Sequence, residues 1–129
     1  MVKGDKFSHD FVVDNKIYEG FIDLFSDRNP LHTDVSFATA KGFASTVMHG
    51  NILGGFLSYF IGECLPVKNV IIHSQQMKFY NPVYLNNHLF FSAMVDDVFE
   101  SVNVVVFNFL FENEQKQKVA KGKIQIGLI

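Results

Sequence analysis

A chain of 129 residues with 48% hydrophobic content can bury about two-thirds of the surface it exposes when unfolded, so a real core is available to it. Fifteen Phe against three Pro exclude a disordered chain, and no repeat or linker-like run divides the sequence, so residues 1–129 are expected to form one domain. Eleven basic and thirteen acidic residues give a formal charge of −2, which supplies no broad cationic surface for nucleic acid.

The opening stretch MVKGDKFSHDF has no apolar run of signal-peptide length. Cys64 is the single cysteine, and neither a CxxC pair nor a Cys/His zinc spacing occurs. A cytoplasmic protein, with no membrane association, is the expectation. Phe7 to Val13 reads as a short strand, followed by Asp14 as the N-cap of a helix whose stripe carries Ile17, Phe21 and Leu24. Next comes FSDRNPLHTD, residues 25 to 34. Pro30 drives Asn29 out of the α region, so this segment is expected to be a turn-rich loop. In a continuous helix Asp27 and His32 would point roughly 140° apart, whereas a loop can bring an acid and an imidazole to one point, as general acid/base chemistry needs. Asp34 then caps a short helix through Phe37 and Ala38, stopped by Gly42.

Residues 50–66, GNILGGFLSYFIGECLP, are apolar or small nearly all round. They are too short before Pro66 to span a bilayer, which takes about twenty residues, and read as a buried helix. Gly54 and Gly55 cost helix stability, and close approach of another backbone is the expected compensation. Beyond Pro66 the pattern turns to strands at 69–79, 88–95, 102–111 and 119–126. Turn signals lie at Asn81-Pro82, Asn86-Asn87, Asp96-Asp97 and 112–115. One buried helix followed by an antiparallel meander predicts an α+β fold, the sheet wrapped around residues 50–64.

The run FSDRNPLHTDVSFA resembles the signature of the MaoC-like (R)-specific enoyl-CoA hydratases, hydratase 2, built on Gly-Asp-x-Asn-Pro-hydrophobic-His. Val47 to Gly50 is similar to the family's V-x-H-G segment, and QQMKFYNPVY to its Gln-x-x-(Arg/Ser)-Phe-x-x-Pro-Val. The resemblance covers about residues 20 to 90 and implies a hot-dog fold, usually dimeric, acting on acyl-CoA or acyl carrier protein thioesters without metal or redox cofactor. It implies Asp27 and His32 as the catalytic pair, Asn29 as support for the loop or the water, Gly50 as backbone N–H donor to the thioester carbonyl, and Ser58 as a substrate contact. Two positions depart from the pattern: Ser26 stands where the family has glycine, and Arg28 where it often has an apolar or small residue.

Each residue also has a plainer reading. Asp27 can close the turn by an Asx hydrogen bond while His32 packs on Phe25; Ser58 can bond back to a helix carbonyl. His49 reads as a structural histidine at the helix entry, and His9, His73 and His88 as strand or surface residues. Cys64 reads as a small buried hydrophobe. Lys41, Lys68 and Lys78 can meet a carrier phosphate or simply be solvated, and Arg28, the only arginine, suits a surface ion pair. The leading reading is a hydratase/dehydratase interconverting trans-2-enoyl and (R)-3-hydroxyacyl thioesters. The alternatives are a hot-dog thioesterase, recognised by release of free thiol, and a non-catalytic acyl-thioester binding module.

Overall fold

The computed structural model describes residues 1–129. Five antiparallel strands form one sheet: β1 (Lys6–Val12), β2 (Val70–Phe79), β3 (His88–Phe99), β4 (Val104–Glu112) and β5 (Lys118–Leu128). Their order is β1-β3-β4-β5-β2, so β3, β4 and β5 are the expected meander, with β1 and β2 at the two edges. Period-2 alternation dictates which face is buried. Leu89, Phe91, Ala93 and Val95 of β3 and Val105, Phe107, Phe109 and Phe111 of β4 all point inward.

The inner face is covered by helix α4 (Asn51–Tyr59), which buries Ile52, Leu53, Phe56 and Leu57 and continues through a π turn at Phe60–Cys64 before Pro66. The aromatic side chains fill the space between: Phe60 lies 4.8 Å from Phe91 and 5.6 Å from Phe107 by ring centroids, and Phe11 of β1 stacks on Phe56 at 4.3 Å. Lys68 donates to the Gly62 and Glu63 carbonyls at the end of the π turn, so one candidate phosphate contact is occupied in closing the helix. The Cys64 thiol, packed against the core, has its pKa pushed up chiefly by burial; Lys68 opposes the shift and Glu63 adds to it.

Two expectations fail. Neither Gly54 nor Gly55 admits another backbone: a Cβ on Gly54 would meet only the Gln75 side-chain amide at 3.9 Å, and one on Gly55 would meet open space. Gly55 lines a groove against α1 instead. Asp96-Asp97 also makes no turn. The strand absorbs them through a bulge between Val95 and Asp97, and the chain reverses later, over Glu100–Val102 with Asn103 in the left-handed region (φ 55°). Both aspartates stay satisfied without a turn. Asp97 Oδ1 accepts from Val98 N–H, and Lys123 reaches from β5 to Asp96 at 3.0 Å, a hydrogen bond that holds the Asp96 carboxyl below its ordinary range.

Before α4, three helices frame the site: α1 (Asn15–Phe25), α2 (Pro30–Thr33) and α3 (Val35–Ala40). Asp14 caps α1 and Asp34 caps α3, as predicted. The loop between them tightens into the single turn α2, with Asn29 extended (ψ 135°) as its cap and Pro30 at its first position.

Candidate active site

Ser26 ends α1 in the left-handed conformation (φ 59°, ψ 21°) and turns the chain sharply so that Asp27 leaves the helix axis. This explains the family's glycine at that position: the turn needs positive φ, and Ser26 supplies it at a steric cost glycine avoids. Asn29 N–H then donates to Asp27 Oδ1 at 3.2 Å, an Asx turn, while Asn29 Oδ1 accepts from Leu31 N–H at 3.0 Å. The Asn29 carbonyl oxygen is therefore engaged in supporting the loop.

His32, at the end of α2, lies with its Nδ1 2.6 Å from the Val47 carbonyl. A carbonyl only accepts, so Nδ1 carries a proton, and the neutral tautomer that fits this contact presents a bare Nε2. That Nε2 stands 4.0 Å from Asp27 Oδ2. The distance is too long for a direct hydrogen bond, and it leaves two acceptors from one loop converging on the same small volume.

The supports of this loop include Tyr18, on which the sequence carried no signal, and His49, whose reading as a structural histidine at the helix entry fits its contact with the loop. Tyr18 of α1 donates its hydroxyl to the His32 carbonyl at 2.7 Å, Val47 N–H donates to the Leu31 carbonyl, and Thr33 Oγ1 bonds back to the Arg28 and Asn29 carbonyls. His49, 3% exposed, lies with its Nε2 2.9 Å from the Asp27 carbonyl, and its ring stacks on His32 at 3.9 Å between centroids. The loop with the acid is thus tied directly to the entry of α4.

Gly50 is the N-cap of α4 (φ −58°, ψ −34°), and its N–H donates to no group of the chain. A free donor at a helix N-terminus, beside an acid and an imidazole, suits a developing negative charge. A Cβ on Gly50 would stand 3.1 Å from the Phe79 ring, so glycine keeps this entrance narrow but open.

Two cavities meet at the pair. One, about 380 Å³ and mostly apolar, is lined by His32, Gly50, Leu31, Leu53, Phe79 and Val83 among others. The second, a groove of about 940 Å³ between α1 and α4, is lined by Asp27, Phe21, Leu24, Asn51 and Gly55, with Ile52 shared between the two. Ser58 lines neither; it is exposed two turns along α4, on the stripe of Asn51 and Gly55 beyond the groove. Arg28 faces α1 beside Glu19 and Asp23 rather than the pair. Asp27, His32 and His49 each offer one possible ligand atom within 4.8 Å of the others. The two imidazoles are stacked nearly parallel (28°), however, which aims their in-plane lone pairs side by side rather than at one ion.

A sheet wrapped around one buried helix, with an acid/histidine pair and a free N–H at that helix's entrance, defines a hot-dog fold with a site suited to acid/base chemistry on a polarised carbonyl compound. Residues 5–113 match the family described as MaoC like domain, and the chain belongs to that family. It is 35% identical over 69 residues to an (R)-specific enoyl-CoA hydratase of Aeromonas caviae, a match covering 54% of this chain and 52% of that protein. The match therefore spans about half the length of that curated relative. Among solved structures, an unliganded R-hydratase from Pseudomonas aeruginosa superposes with a TM-score of 0.89 at 25% identity, covering 99% of this chain and 82% of the other. An (R)-hydratase from A. caviae involved in PHA biosynthesis superposes at 0.91 and 23% identity, covering 100% and 98%, and supports the hot-dog fold.

Proposed function

We propose that this chain is a hydro-lyase that adds water to trans-2-enoyl thioesters, and removes it from (R)-3-hydroxyacyl thioesters, on coenzyme A or acyl carrier protein. The observation that carries this reading is the 4.0 Å pair of Asp27 Oδ2 and His32 Nε2 beside the unpaired Gly50 N–H. Two acceptors can hold one water by its two hydrogens. As its oxygen bonds to C3, the pair takes one proton and returns one to C2, so the elements of water are added across the double bond. Charge that builds on the thioester oxygen meets the Gly50 N–H, and the apolar cavity takes the acyl group. Asn29, Tyr18 and His49 hold the pair in place, and no metal or redox step is needed.

The chain has no helix long and apolar enough to cross a membrane, and we place its work in the cytoplasm as a homodimer. Incubation with 2-enoyl-CoA substrates of increasing length, followed by loss of enoyl absorbance and chiral analysis of the product, tests the reading. The expected product is the (R)-3-hydroxyacyl thioester. Free thiol without hydration would make the protein a thioesterase, and binding without turnover would make it a carrier-binding module.

A further inference from the structure

We infer that His49 is a positioning residue of the reaction, retained as histidine although that choice lowers stability: one ring nitrogen fixes the main chain of Asp27 and the other is left buried without a partner. Its effect on turnover rests on the hydratase reading above. The ring is sandwiched, 4.6 Å from Phe21 of α1 on one side and 3.9 Å from His32 on the other, between centroids. A phenylalanine would serve that packing as well. What the imidazole adds is the contact of Nε2 with the Asp27 carbonyl at 2.9 Å. The carbonyl can only accept, so Nε2 carries a proton and, in the neutral tautomer, Nδ1 is a bare acceptor. His49 Nδ1 is the one buried side-chain nitrogen or oxygen of the chain with no hydrogen-bond partner. An orphaned group of this kind is destabilising, and in a native structure it calls for an explanation.

The explanation lies in what else holds Asp27. Its carbonyl is its only main-chain group with a hydrogen bond, and the Asx turn on its carboxylate closes within the same loop, onto Asn29. The bonds from Tyr18 to the His32 carbonyl and from Val47 N–H to the Leu31 carbonyl hold α2 and do not reach Asp27. His49 is therefore the one hydrogen-bonding group outside the loop that fixes the acid, and the same ring touches His32. Asp27 is exposed, so water can replace a lost donor at its carbonyl and the fold has little need of this bond. The reaction needs it more, because a displacement of about 1 Å can cost about 10²-fold in rate. Two carbonyls thus hold the stacked imidazoles in opposite neutral tautomers, His32 with its proton on Nδ1 and His49 with its proton on Nε2.

Two substitutions separate the ring from its N–H. His49→Phe keeps the sandwich and removes both nitrogens, whereas His49→Gln keeps an N–H at the reach of Nε2 and gives up the ring. His49→Phe should melt at the parent's temperature or above it, yet its kcat for hydration of trans-2-butenoyl-CoA should fall about 10²-fold with KM little changed. His49→Gln should recover most of that kcat. Parental kcat in His49→Phe, a His49→Gln variant as slow as His49→Phe, or a His49→Phe chain that loses its fold or melts earlier as it slows overturns the inference and leaves His49 a structural histidine. Nitrogen NMR of the parent's imidazoles reads the arrangement without turnover: the expected result is a protonated Nε2 and bare Nδ1 on His49, and the opposite tautomer at His49 overturns the inference whatever the activity. A parent with the expected tautomers that hydrates no enoyl-CoA overturns the hydratase reading instead. The placement of the acid is then decided by backbone order parameters of Asp27 and Asn29, which should drop in His49→Phe and recover in His49→Gln; order unchanged in His49→Phe overturns it.

Discussion

The side chains of Asp27 and His32 each have a structural duty beside the proposed chemical one, and variants can separate the two. Asp27→Asn keeps the oxygen that accepts from Asn29 N–H, and His32→Asn keeps an N–H within reach of the Val47 carbonyl, yet each removes an acceptor from the reacting volume. Each should lower kcat by about 10² to 10⁴ with little change in melting temperature, and the double variant should be scarcely worse than either single one, because both act on one water. Additive losses in stopped assays of 2-enoyl-CoA hydration would show that they act in separate steps. Gly50→Pro addresses the donor. The native φ of −58° already suits proline, so the substitution deletes the N–H without demanding a new backbone angle there. It should cost about 10² to 10³ in kcat beyond Gly50→Ala, which adds the same Cβ beside the Phe79 ring but keeps the N–H. At this scale the sequence was most informative for the acid and the imidazole that the loop brings together, because their types and order are unusual. It was silent on Tyr18 and the Val47 carbonyl. A tyrosine on a helix stripe or a main-chain oxygen has no pattern of its own, and only the fold brings them to His32.

Among the elements, helices and strands with strong periodicity were legible, and so were the aspartate caps. The misread Asp96-Asp97 pair shows where this stops. Two adjacent aspartates resemble a turn locally, but the β4 and β5 neighbours Asn108 and Lys123 lie within reach of Asp96, and such cross-strand partners are set by register, which no local pattern encodes. Glycines behave likewise, since their meaning depends on what faces them. A Cβ at Gly122 in β5 would fall 1.7 Å from the Gln76 carbonyl oxygen of β2, so backbone would have to move. At Gly20 in α1 a Cβ meets nothing within 4 Å. Gly122→Ala should therefore lower stability by several kcal/mol, in the range of about 1 to 3 or more for overpacking, and loosen the β2–β5 pairing. Gly20→Ala should raise it by about 0.5 to 1 kcal/mol through helix propensity. Urea unfolding of the two variants beside the parent protein checks both signs at once.

For the molecule as a whole, the open question is what covers its two sheet edges. β1 is a seven-residue edge bearing Lys6, His9 and Asp10, the kind of short, charged strand that resists pairing. β2 is different: ten residues long, hydrogen-bonded on one side only, with Ile71 49% and Ile72 37% exposed near its start and Phe79 50% exposed at its end. A second copy related by a two-fold axis would pair β2 with β2 and cover these side chains, and it would wall the α1–α4 groove that Leu24 and Phe25 leave open at 76% and 68% exposure. Light scattering during size exclusion at micromolar concentration should therefore return twice the chain mass, and the melting temperature should rise with protein concentration. Ile72→Lys places a charge on the proposed seam and should shift the protein toward monomer while leaving Asp27 and His32 untouched. If the groove needs the partner's wall, that variant loses turnover in step with dimer content, and raising its concentration restores both together. A parent protein that is monomeric and fully active would rule out the β2 seam and leave the site complete within one chain.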